Sequence, residues 1–146
     1  MAKLGLIVNP IAGMGGAVGL KGTDTQEILH EAIERGAQPV SPNRANEFFT
    51  ALSGERGIEL MVADGPMGKD IVDRLAFQYV SINGIPTTNT SRDDTIRIAR
   101  KMVDQGIDIL VFVGGDGTAN DVLEAVGDRV TVLGVPAGVK IFSGVF

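Results

Sequence analysis

Five short, largely apolar runs punctuate the chain, and helical patterns separate them. They are Leu4–Val8 (LGLIV), Ile58–Ala63 (IELMVA), Tyr79–Ile82 (YVSI), Ile109–Val113 (ILVFV) and Val130–Leu133 (VTVL). A strand that is apolar along its length, rather than at alternate residues, must be covered on both faces. Such strands alternating with helices specify a mainly parallel sheet between two helical layers. The expected fold is therefore a three-layer α/β/α, Rossmann-like domain spanning residues 1–146. With 44% hydrophobic residues the chain can fill such a core.

The helix signals between the runs agree. Asp24 with Glu27 reads as a capping pair ahead of Ile28, Leu29, Ala32 and Ile33, and Gly36 ends that helix. Ser41-Pro42 opens a second helix with apolar positions Ala45, Phe48, Phe49 and Leu52. Asp64-Gly65-Pro66 turns the chain into a third, bearing Ile71, Val72, Leu75 and Ala76. Ser91-x-x-Asp94 is a capping box before Ile96, Ala99, Met102 and Val103. Thr118-x-x-Asp121 reads as another, before Val122, Leu123 and Val126.

Glycine is in excess at 20 residues and is clustered, with five between Gly13 and Gly22 and three between Gly114 and Gly117. Both clusters directly follow apolar runs. Right-handed crossovers bring the C-terminal ends of parallel strands to one edge, where open α/β sheets bind ligands. The loop of residues 9–23 contains Asn9-Pro10-x-Ala12-Gly13-x-Gly15-Gly16, which can line an anion nest with amides. It fits neither the Walker A spacing nor G-x-G-x-x-G. Val113-Gly114-Gly115-Asp116-Gly117-Thr118 joins the most apolar run to a helix. There the amides of Gly117, Thr118 and Ala119 can face an anion at the positive end of the helix. A carboxylate in such a loop repels phosphate, so Asp116 makes sense as a magnesium ligand or as a base toward an attacking hydroxyl. Gly134-Val135-Pro136-Ala137-Gly138-Val139-Lys140 belongs to the same edge, where Lys140 can offer a cation to phosphate or to solvent. Thr87-Thr88-Asn89-Thr90-Ser91 supplies hydroxyls ahead of a helix.

Composition narrows the chemistry further. Net charge is −5, which opposes a general nucleic-acid surface. There is no cysteine, so disulfides, thiolate catalysis and Cys–zinc sites are excluded, and the lone His30 reads as a solvated surface residue. No apolar run approaches the ~20 residues of a membrane span, and the N-terminus lacks a signal-peptide core, so a cytoplasmic protein is expected.

GGDGT at Gly114–Thr118, with Asn9-Pro10 after the first strand, resembles the superfamily of NAD kinases, diacylglycerol and sphingosine kinases, and 6-phosphofructokinases. LIVNPIAGMGG at Leu6–Gly16, DDTIRIAR and GVPAGVK at Gly134–Lys140 are most similar to the N-terminal domain of the ATP-NAD kinase-like family, including acetoin-catabolism AcoX-like proteins. The resemblance implies an ATP-dependent, magnesium-assisted phosphotransferase making NADP from NAD, with Asp116 as catalytic acid–base residue and magnesium ligand. It implies nucleotide contacts from Asn9, Gly13, Gly114, Gly115, Gly117, Thr118 and Asn120. Its partners would be ATP and NAD, with no nucleic acid or membrane, and homo-oligomerisation is left open. The family carries a C-terminal all-β domain that this chain lacks, so a truncated protein inactive alone is expected. Asn120-Asp121 also suits lipid kinases, but their Gly-Thr-x-Asn-Asp segment is missing after Pro136. A diacylglycerol-type kinase and a non-catalytic nucleotide-binding module are the alternatives.

Overall fold

The computed structural model describes residues 1–20, 25–75, 77–84, 90–138 and 141–146. Five strands form one parallel sheet: β1 (Ala2–Val8), β2 (Ile58–Ala63), β3 (Tyr79–Ile82), β4 (Ile109–Gly114) and β5 (Thr131–Pro136). Their order is β3-β2-β1-β4-β5, with Leu6 opposite both Val62 and Val111. Among the described residues, six α-helices accompany them: α1 (Met14–Ala17), α2 (Gln26–Glu34), α3 (Ser41–Ala51), α4 (Lys69–Val72), α5 (Arg92–Asp104) and α6 (Asp116–Val126).

Residue alternation divides the core into two layers, as continuous apolar strands require. Leu4, Leu6, Val8, Leu60, Val62, Val111 and Val113 pack with Ala45 and Phe49 of α3 and Ile71 and Val72 of α4. Ile7, Met61, Leu110 and Phe112 pack with Ile98 and Met102 of α5 and Val122 and Val126 of α6. Phe112 is fully buried, and burying a side chain of that size contributes about 2–3 kcal/mol. The three-layer α/β/α architecture is the one expected.

Several boundaries differ from the sequence reading. The glycine-rich loop after β1 contains the four-residue helix α1. The N-cap of α2 is Thr25, whose hydroxyl accepts from the Ile28 amide; Asp24 lies outside the described residues. Ile33 and Leu123 are exposed, because their helices turn other residues inward. The segment after Pro66 is a 3-10 turn (Gly65–Met67) and one turn of α-helix, and Ala76 lies outside the described residues. The last strand runs to Pro136, three residues beyond its apolar run. Its backbone keeps pairing with β4 up to Gly114, and a proline fits there because β5 is an edge strand.

Candidate functional site

The order of strands reverses at β1, so the chain leaves β2 and β4 in opposite directions. Such a switch point opens a crevice above the strand C-termini. A cleft of about 1070 Å³ occupies it, bordered among others by Asn9, Gly13, Ser91, Arg92, Thr95, Gly115, Asp116, Gly117 and Thr118.

Three loops meet at this edge and hold one another. The Asn9 amide Nδ2 donates to Thr118 Oγ1 at 3.0 Å, while its Oδ1 accepts from the Ile11 amide. Thr118 is buried, and a side chain on Gly114 would place its Cβ 2.4 Å from Thr118 Oγ1. Gly114 therefore stands behind the cleft wall, and its carbonyl accepts from the Ala137 amide at 2.9 Å. Gly13 has φ +81°, and a Cβ there would fall 1.6 Å from the Ala137 carbonyl oxygen. A side chain is excluded on both counts.

The start of α6 corrects the expected cap. Gly115 is the N-cap, with no side chain bonded to the helix end, and Asp116 is the first helical residue. Thr118 lies inside the first turn, its hydroxyl engaged by Asn9 rather than by a helix amide. Ala119 already donates to Gly115, so the amides ahead of the first intrahelical bond are those of Asp116, Gly117 and Thr118. The amide set is displaced one residue from that expected for an anion.

Asp116 borders the cleft with its carboxylate held from one side. Oδ1 accepts from the Ser143 amide at 3.0 Å and Oδ2 from the Phe142 amide at 2.9 Å. The Ser143 amide, the Ser143 hydroxyl and the Phe142 amide hold its carboxyl below the ordinary carboxylate value, against a smaller upward pull from desolvation. The segment supplying these donors is anchored at its end. Val145 accepts from the Gly134 amide, and the Phe146 ring meets Phe112 edge-on at 5.3 Å between centroids. No sequence signal marks Phe142 and Ser143, because two of the three groups that act are main-chain amides and the third is the hydroxyl of a serine distant in sequence.

Across the cleft, Ser91 and Asp94 form the expected capping box, with the Ser91 amide donating to Asp94 at 2.9 Å. Arg97 donates to the other Asp94 oxygen at 2.7 Å. The next residue after Ser91, Arg92, reaches α6: Nε donates to Asp121 at 3.1 Å and Nη2 to Glu124 at 2.6 Å. Asn120 is exposed and does not border the cleft. Thr87, Thr88, Asn89 and Lys140 lie outside the described residues. His30 is exposed beside Glu34, as expected. No helix among the described residues is long and apolar enough to cross a membrane.

Among the described residues no three His, Cys, Asp or Glu side chains gather to hold a metal ion by themselves. Among the described residues, Asp116 and Asp121 are the carboxylates bordering the cleft. That supply suits magnesium, which takes one or two carboxylates and completes its octahedron with water and phosphate oxygens.

Neither a curated protein nor a solved structure matches the chain. A family model described as ATP-NAD kinase N-terminal domain matches residues 4–146. The parallel sheet, the glycine loops converging at its switch point and this match, which takes in all three loops, agree: the chain belongs to the ATP-NAD kinase N-terminal domain family.

Proposed function

We propose that this chain is the nucleotide-binding domain of an ATP-dependent phosphotransferase that converts NAD to NADP by phosphorylating a ribose 2′-hydroxyl. The observation that carries the reading is the placement of Asp116. Its carboxylate lies at the N-terminus of α6, beside the amides of Gly117 and Thr118, on a cleft large enough for a nucleotide. Family membership supports kinase chemistry of the NAD kinase kind.

Each residue then has a task. The first-turn amides of α6 receive phosphate oxygens, with Gly115 and Gly117 admitting close approach. Asn9 locks Thr118, and so the first turn, to the end of β1. Gly13 lets the β1 loop close against Ala137. Gly114 keeps the space that Thr118 occupies. Asp116 accepts the proton of the acceptor hydroxyl. A carboxylate of low basicity suffices, because in a loose phosphoryl-transfer transition state the attacking oxygen forms little bond, and positioning dominates. Asp116 is the carboxylate that would hold a magnesium ion, with water and phosphate oxygens completing its shell, and the ion would neutralise phosphate charge when bound. The all-β domain implied by the resemblance completes the acceptor pocket, and the expected setting is cytoplasmic.

The test incubates the chain, and the protein extended by that second domain, with γ-labelled ATP, magnesium and either NAD or diacylglycerol. Label on NAD in the extended protein supports the reading. Label on diacylglycerol overturns the acceptor and leaves the phosphotransferase. Saturable ATP binding with transfer to neither overturns the enzyme in favour of a nucleotide-binding module.

A further inference from the structure

We propose that Arg92 is a specificity-determining residue of this cleft, a cation that reads the terminal phosphates and makes the site prefer nucleoside triphosphates over monophosphates. The inference rests on the nucleotide reading above and deepens it. Its starting point is a charge imbalance. The described cleft residues include two carboxylates, Asp116 and Asp121, and one formal cation, Arg92. The whole chain carries −5. Amides at a helix end supply only about half a positive charge. Magnesium held at Asp116 would offset part of a triphosphate's charge, and Arg92 is the cation among the described cleft residues that can meet its distal end.

The guanidinium is placed for that duty. It begins α5, directly after the Ser91 cap, so its backbone is fixed by the capping box. Its side chain then crosses to α6, where Asp121 and Glu124 take Nε and Nη2. Asp121 follows Asp116 by five residues, about 7.5 Å along a helix axis. The bond to Asp121 thus holds the guanidinium within about two turns of the amides that receive phosphate. These two contacts use two of the five N–H donors of the planar fork. The other three, on Nη1 and Nη2, are donors that suit a phosphate, which arginine binds bidentately. As a helix-to-helix tie alone, the contact would be of small value, since the Arg92 side chain is 57% exposed. Bordering the cleft is what gives it a further use.

Binding of ATP, ADP, AMP and inorganic tripolyphosphate, each with magnesium, is measured by calorimetry on the wild-type chain and on Arg92→Gln and Arg92→Lys. In Arg92→Gln the Kd for ATP and tripolyphosphate should rise by about 10- to 100-fold. The Kd for AMP should change by less than about 3-fold, because AMP does not reach the guanidinium. Arg92→Lys, which keeps the charge and loses the fork, should fall between wild type and Arg92→Gln. Equal losses for ATP and AMP, or unchanged ATP affinity in a folded Arg92→Gln, overturn the assignment while leaving the nucleotide site standing. A wild-type chain that binds neither ATP nor tripolyphosphate overturns both together.

Discussion

Replacing Gly13 by alanine probes the closure of the cleft edge most sharply. The residue sits at φ +81°, where an L side chain costs about 1–2 kcal/mol. Its new Cβ would lie 1.6 Å from the Ala137 carbonyl oxygen, a backbone atom that cannot rotate away. Relieving that overlap means pushing the β5 loop off the β1 loop, at about 1–3 kcal/mol by analogy with overpacked cores. The sum is about 2–5 kcal/mol, or about 5–15 °C of Tm for a domain of this size. Gly106 provides the control. It has nearly the same φ, +79°, but open space around its Cβ position. Gly106→Ala should therefore show the backbone cost alone, about 1–2 kcal/mol. Paired thermal and urea unfolding measures the difference, and a parallel ATP titration should show binding weakened in Gly13→Ala and retained in Gly106→Ala. Equal destabilisation of the two variants would refute the contact between the loops.

Further outcomes follow from the same geometry. On the proposed reading, Asp116→Asn should cut the rate of NADP formation by at least about 100-fold, while the variant still unfolds cooperatively by circular dichroism. Thr118→Val should cost about 1–2 kcal/mol in urea unfolding, because the Asn9 amide loses its acceptor, and Thr118→Ser should recover most of that. Burial pulls the Asp94 carboxyl up, but the Ser91 amide, Arg97 and the Ser91 hydroxyl together hold it below its ordinary value. Since the folded state binds this proton less readily than the unfolded one, its contribution is present above the unfolded pKa and is lost as pH falls through the folded one. Asp94→Ala should thus cost about 1 kcal/mol at pH 7 and progressively less on acidification below about pH 4, measured by urea unfolding at each pH.

What could be read ahead of the structure follows the physics of each signal. Ile58–Ala63 lies between Gly57 and Asp64-Gly65, and Tyr79–Ile82 is closed by Asn83-Gly84; β2 and β3 have those limits. β5 outruns Val130–Leu133 because an edge strand is half solvated, so pairing rather than hydrophobicity sets its end. The convergence of the Gly13 and Gly114 loops was legible from strand-then-glycine order, since parallel topology leaves one edge for both. The cap of α6 was not. Thr118 looks like a capping hydroxyl in sequence, but its partner is Asn9, 109 residues away, and a glycine starts the helix instead. The grip of Phe142 and Ser143 on Asp116 was hidden because it comes mainly from amides, which almost any residue type carries, 26 and 27 residues away. Arg92 was hidden too: its acidic partners lie 29 and 32 residues downstream, beyond any local pattern.

The central claim is that the cleft above β1 and β4 binds a nucleotide through the first turn of α6. Amide NMR of the isotopically labelled chain during titration with magnesium ATP tests it directly. The resonances of Gly13, Asp116, Gly117 and Thr118 should move saturably and together, with a common Kd. Saturable shifts confined to residues away from that cleft, or none at millimolar nucleotide, would contradict it.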